Sequence, residues 1–179
     1  MSEQTEAAVE KPLHLAIGRL SRRLTAAYRA DPGEIAALRR AGAGTSSPVF
    51  WRVLMADVPE ELRKGHAGES LWAGLFTAFA VLAPLGSGRG EALGKALAET
   101  GYSELRLVRL LRADSAAMAG ELATAARWLV AKGRAADWRD FAEFALSRLD
   151  LGADSDHPAA RHIARTYFRA VSRPEDPTA

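Results

Sequence analysis

The stretch Glu69-Ser70-Leu71-Trp72-Ala73-Gly74-Leu75-Phe76-Thr77-Ala78-Phe79-Ala80-Val81-Leu82-Ala83-Pro84-Leu85 is apolar on nearly every side when wound at about 3.6 residues per turn. Leu71, Trp72, Leu75, Phe76, Phe79 and Leu82 leave no polar stripe for solvent, so the segment predicts a buried central helix. Pro84 and the run Gly86-Ser87-Gly88-Arg89-Gly90 stop it. Leu71 to Leu85 is too short for a membrane span, so its cover is expected to be protein.

Amphipathic helices to supply that cover lie on both sides. Leu13, Ile17, Leu20, Leu24 and Tyr28 form a stripe opposite Arg19, Arg22, Arg23 and Arg29, which predicts a helix over about 11–29. Asp31-Pro32-Gly33-Glu34 reads as an N-cap, a first-turn proline and a capping-box acid, opening a short helix through Ile35, Leu38, Arg39 and Arg40. Gly42-Ala43-Gly44-Thr45-Ser46-Ser47 breaks it, and Pro48 opens another with Phe50, Trp51, Val53, Leu54 and Met55, ended near Pro59. Downstream come a short helix over about 91–99, one capped by Ser103 with Glu104 just inside, and one capped by Ser115 that runs to Lys132 on Met118, Leu122, Ala126, Leu129 and Val130. Asp137 begins a helix bearing Trp138, Phe141, Phe144, Ala145 and Leu149. A last one starts near Pro158 with Asp156 as its cap, and sets Ile163, Tyr167, Phe168 and Val171 opposite Arg161, Arg165 and Arg169.

Eight or nine helices with almost no strand predict an all-α protein of two packed helical bundles. The loop around Gly101 is the expected boundary, with the glycine-rich stretch 86–90 as its competitor. The organisation is then an acidic tail at 1–10, an N-terminal bundle at 11–101, a C-terminal bundle at 102–173 and a tail at 174–179. The helices do not repeat one another at 30 to 45 residues, which argues against a solenoid.

The chain has 179 residues, 48% of them hydrophobic and 26% charged, as in an ordinary globular protein. It has no cysteine, which removes disulfides, thiolate metal sites and cysteine nucleophiles together. The opening MSEQTEAAVE is acidic and has no apolar run, so a cytoplasmic protein is expected.

The net charge of +2 understates how basic the middle is, because acid collects at the ends. Residues 11–173 carry 24 basic against 17 acidic side chains, a net of +7, and 20 of the 24 are arginines. Residues 11–64 have 10 basic and 5 acidic, 65–99 have 2 and 3, and 100–173 have 12 and 9, so two basic regions flank a nearly neutral one. The sharpest feature is Ser103-Glu104-Leu105-Arg106-Leu107-Val108-Arg109-Leu110-Leu111-Arg112. Arg106, Arg109 and Arg112 share one side of a helix while Leu107, Val108, Leu110 and Leu111 take the other, and guanidiniums in a row suit phosphates. Alternatively, Arg106 and Arg109 bridge Glu104, Asp114 or Glu121 and merely solvate the helix.

Candidates for other chemistry are weak. Gly86 to Gly90 follows a helix and has neither the GxGxxG nor the Lys-Ser/Thr spacing of a phosphate cradle, so it reads as an interhelical turn. His14, His66, His157 and His162 lack the i, i+4 spacing of a helical metal pair. Asp150, Asp154 and Asp156 lack the glycine and closing glutamate of a calcium loop. No catalytic residue, metal ligand or cofactor site is assigned. Trp51, Trp128 and Trp138 each adjoin an arginine and could stack bases, but each falls on or beside an apolar stripe and is expected in the core.

Gly90-Glu91-Ala92-Leu93-Gly94-Lys95-Ala96-Leu97-Ala98, followed by the 103–112 stretch with Ala113-Asp114, resembles the signature of CasB, the small subunit of the type I-E CRISPR surveillance complex Cascade. Ala37-Leu38-Arg39-Arg40, Pro48-Val49-Phe50-Trp51-Arg52-Val53-Leu54 and Asp137-Trp138 resemble further elements of it, in matching order over about 36–150. Arg148 is a departure, standing where the family pattern often has tryptophan.

The resemblance implies an all-α, two-bundle protein without catalytic activity, present as a pair beside the backbone and large subunits of the complex. There it lies along guide RNA and target DNA and helps hold the displaced strand, while a recruited nuclease cuts. Base pairing reads the sequence, so the protein need only offer phosphates a positive surface. Arg39, Arg40, Arg52, Arg106, Arg109 and Arg112 are the expected nucleic-acid contacts, with Lys95, Arg127 and Lys132 as additions. Two other readings stay open. One is a structural assembly subunit whose arginines meet acidic partner proteins. The other is a helical DNA-binding regulator, for which the chain has no compact helix-turn-helix with a polar recognition helix.

Overall fold

The computed structural model describes residues 11–43, 47–86, 89–151 and 157–172. Among them the backbone forms ten α-helices: α1 (Pro12–Ala30), α2 (Pro32–Arg39), α3 (Pro48–Asp57), α4 (Glu60–Arg63), α5 (Gly65–Leu82), α6 (Leu93–Glu99), α7 (Glu104–Arg112), α8 (Ser115–Ala131), α9 (Trp138–Leu151) and α10 (Pro158–Val171). Among these residues β-pairing is limited to one isolated bridge between Glu91 and Ala136, so the chain is all-α.

The helix count exceeds the eight or nine expected because α4 is a single turn, too short for periodicity to register. Lys64 ends it in the left-handed region at φ 50°, and Gly65 follows at φ 63°. A Cβ on Gly68 would lie 1.8 Å from the Arg63 carbonyl oxygen, so glycine lets α5 start directly after α4, four residues before Glu69. Gly65–Leu85 is consequently long and apolar enough to cross a membrane by length and composition, but 72% of its apolar window is buried within the protein.

The caps follow the sequence in part. Asp31 accepts from the Glu34 N–H at 2.9 Å and Ser103 from the Arg106 N–H at 3.4 Å. Glu34 does not complete a capping box, because its carboxylate is taken by Arg23 through two bonds of 3.0 Å. The cap of α8 is Asp114 rather than Ser115, accepting from the Ala117 N–H at 2.8 Å. The cap of α10 is His157, whose Nδ1 accepts from the Ala159 N–H at 3.1 Å; Asp156 lies outside the described residues, as do Asp154, Ser87 and Gly88.

The axis of the molecule is α5, and every residue from Leu71 to Ala80 is buried. It packs most extensively on α8, where a Cβ on Gly74 would come within 2.8 Å of that of Ala119. Phe79 stacks on Trp138 of α9 at 4.6 Å and 9°, and Trp72 satisfies its indole N–H on the Leu62 carbonyl at 2.8 Å. One contiguous apolar cluster runs from Ile17 to Tyr167, so helices before and after Gly101 share a core. Each large side chain fully buried there contributes about 1.5–3 kcal/mol.

The glycines of the 90–98 signature have steric reasons. A Cβ on Gly90 would meet the Ala136 backbone at 2.8 Å, and one on Gly94 would lie 2.0 Å from the Ile163 carbonyl oxygen where α6 crosses α10. Several residues read as core face solvent instead: Tyr28, Met55, Phe168 and Val171 stand at helix-face edges and are exposed.

Candidate nucleic-acid interface

Three of the arginines singled out from the sequence meet across the fold. Arg39 and Arg40 close α2, Arg127 projects from α8, and together they line a groove of about 450 Å³ floored by Gly42, Thr77, Ala119, Gly120 and Ala123. All three arginines are exposed. The α2 wall is held by Thr77, whose buried hydroxyl accepts from the Gly42 N–H at 2.8 Å and lies 3.0 Å from the Leu38 carbonyl and 3.1 Å from that of Ala73. The Arg39 Nε donates to the Ala80 carbonyl at 3.2 Å, so α5 fixes both the helix end and the root of its guanidinium.

The other flank of α8 carries a second basic group. Trp128 lies half-buried with Arg106 over its ring at 4.7 Å and Lys132 at 5.2 Å, and donates its indole N–H to Thr100 Oγ1 at 3.1 Å. Trp138 is in the core as expected, whereas Trp128 and Trp51 are only partly buried against it. Arg109 bonds Glu121 at 2.6 Å, which raises its already high pKa, while Arg106 stacks over Trp128. Arg112 is exposed at the end of α7. Val108 is not on the buried side, being 39% exposed, and Leu105 at 75% stands on the outer face among the arginines.

Two expected contacts sit elsewhere. Arg52 is exposed on α3 and does not line the groove. Lys95, on α6, bonds Glu91 at 2.9 Å and lies 3.6 Å from Glu99, and Arg134 bridges the same two carboxylates. The hydrogen bond from Lys95 lowers the Glu91 pKa against the opposing effect of burial, and its counterpart raises that of Lys95. Other arginines serve the fold. Arg23 joins α1 to Glu34 and to Asp57, and the buried Arg148 donates to the Leu111 carbonyl at 2.5 Å with its guanidinium over Phe144.

A further cluster had no signal in the sequence. His14 bonds Glu143 at 2.8 Å, His162 lies 3.8 Å from Asp140, and a groove of about 480 Å³ gathers Lys11, Glu143, His157 and His162. Among the described residues no group of three or more His, Cys, Asp or Glu is placed to hold a metal. Asp140 accepts from the Leu93 N–H at 2.7 Å, yet burial outweighs that bond and pushes its pKa up.

Fold and groove together define a small all-helical scaffold with arginines gathered on its surface. The family model described as CRISPR-associated protein Cse2 matches residues 34–168. The chain belongs to that family, the small subunits, also called CasB, of the type I-E CRISPR complex Cascade. No curated protein and no solved structure matches the chain.

Proposed function

We propose that this Cascade subunit binds guide RNA and target DNA and steadies the displaced strand through a sequence-independent arginine surface, in the cytoplasm, beside a second copy of itself and the backbone and large subunits. The observation that carries this reading is the groove in which Arg39 and Arg40 face Arg127 from a distant helix. Such a groove offers planar, permanently charged donors to phosphates and has no base-reading pattern. Arg106 and Lys132 over Trp128 extend the basic surface around α8.

The test is fluorescence anisotropy with labelled single- and double-stranded oligonucleotides across a salt series. Binding should weaken steeply with salt, by about 0.7 to 0.9 in slope per phosphate neutralised, and should be unchanged when the sequence is shuffled. Replacing Arg39, Arg40 and Arg127 with Ala together should lower that slope by about 2–3. An unaltered slope refutes the groove, and a preferred palindrome favours the regulator reading.

One observation favours a second role for α7. Leu105 and Val108 face solvent between the arginines of that helix, an arrangement suited to a protein neighbour with an acidic rim rather than to phosphates alone. On this reading the α7 face docks another Cascade subunit while the groove beside α8 takes nucleic acid.

A further inference from the structure

Gly120 lies in the interior of α8, is exposed, and has no steric reason within the chain: a Cβ built there meets nothing within 4 Å. Among the other helix-interior glycines, Gly68, Gly74 and Gly94 are forced, whereas Gly18 in α1 is not. Gly74 is pressed on Ala119 and Gly94 on Ile163. Glycine weakens a helix relative to alanine, so an unforced one carries a standing cost, and Gly120 differs from Gly18 in lying exposed within a groove walled by arginines. Gly120 forms part of the floor of the groove whose walls are Arg39, Arg40 and Arg127. The neighbouring floor residues are also small, namely Gly42, Ala119 and Ala123.

We infer that Gly120 is the point of closest approach between α8 and a nucleic-acid backbone, whose sugar edge rests on the bare Cα while flanking phosphates reach the three guanidiniums. A side chain at this place lifts the strand off the floor and lengthens every charge-assisted hydrogen bond from the walls. This inference rests on the proposed nucleic-acid function, and goes beyond it in assigning the fit to shape as well as charge.

The experiment uses the full chain and a labelled mixed-sequence single-stranded DNA. Gly120→Ala and Gly120→Leu are compared with Gly18→Ala, a glycine in α1 whose added Cβ would touch only the Arg22 side chain at 4.0 Å, and with the Arg39/Arg40/Arg127→Ala triple variant. Both alanine variants should raise the thermal midpoint by about 2–4 °C, through helix propensity. Only the Gly120 variants should lose affinity, with Leu about tenfold weaker than the parent and the salt slope lower by about one phosphate's worth. If the triple variant weakens binding but both Gly120 variants bind as the parent does, the close approach is wrong and the nucleic-acid function stands. If neither the triple nor the Gly120 variants change binding, the function itself fails. Should Gly120→Leu fail to fold, Gly120→Ala alone decides, since a midpoint at or above the parent's with undiminished affinity overturns the inference.

Discussion

Adding a single methyl at Gly94 tests the packing at its tightest point. The new Cβ would lie 2.0 Å from the Ile163 carbonyl oxygen, 2.3 Å from Thr166 Oγ1 and 2.8 Å from the Tyr167 nitrogen, and the first and last are backbone atoms that no rotamer change can move. Relief requires α10 to retreat from α6, its most extensive partner, which also pulls the Tyr167 hydroxyl from the Tyr102 carbonyl it bonds at 2.5 Å. Overpacking of this kind costs about 1–3 kcal/mol, and a backbone clash belongs at the upper end. Alanine returns about 0.8–1.0 kcal/mol through helix propensity, leaving Gly94→Ala about 2 kcal/mol less stable. For a chain of this size that is a fall of about 4–8 °C in the thermal midpoint. Far-UV circular dichroism during heating and urea titration measures it, and an unchanged denaturant slope checks that the loss is one of stability rather than of cooperativity. The same chemical change at Gly120 should move the midpoint the other way. A Gly94→Ala variant as stable as its parent would refute the α6–α10 geometry.

Thr77→Val keeps the shape of the side chain but strands the Gly42 N–H, so a loss of about 1–3 kcal/mol in urea unfolding is expected, together with weaker DNA binding as Arg39 and Arg40 lose their anchor. Replacing Arg106, Arg109 and Arg112 with Ala should leave the midpoint nearly intact, since solvent at the exposed Arg109 end screens its pair with Glu121, and should lower the salt slope by up to about 2–3 if the α7 face also meets phosphates. Parental binding with impaired copurification of the sister subunits would assign that face to protein contacts. Asp140→Asn keeps an acceptor for the Leu93 N–H while removing a buried charge. Because the folded-state pKa of Asp140 is raised, its burden on the parent is present above that value and disappears as pH falls through it to the ordinary aspartate range. Urea unfolding as a function of pH should therefore find the variant's advantage greatest near neutrality and gone in acid; an advantage that grows on acidification contradicts the assignment.

The architecture was legible because burial and helical period coincide along α1, α8 and α9, where the apolar residues mark the faces that pack, and because α5 is apolar all round and buried all round. What the period could not register was α4, one turn long, or the backward extension of α5 through Gly65 and Gly68, which depends on a left-handed Lys64. A helical wheel gives a residue's direction but not its neighbour. Phe168 and Val171 therefore read as core and face water, while Arg148, which stands where the family pattern often has tryptophan, is buried with its guanidinium on a carbonyl. The arginine row on α7 was plain because its members are close in sequence. The groove was not, since Arg127 reaches Arg39 and Arg40 only through the packing of α8 and α2 on α5. Gly120 was indistinguishable from any other helical glycine until the fold put it on the floor of the arginine groove.

The contact between α1 and α9 has a consequence for synthesis. α1 packs against α9, with His14 bonded to Glu143, although it also touches α2, α3 and α5. At about 5–20 residues per second, α1 waits on the order of 10 s for that partner to leave the ribosome. Throughout the interval part of its apolar stripe, and much of the greasy axis helix behind it, has no permanent cover. Nascent chains are therefore exposed to self-association in a way the finished protein is not, and yield in the cell should respond to holdase chaperones and slower growth temperatures more than the stability of the folded subunit alone suggests.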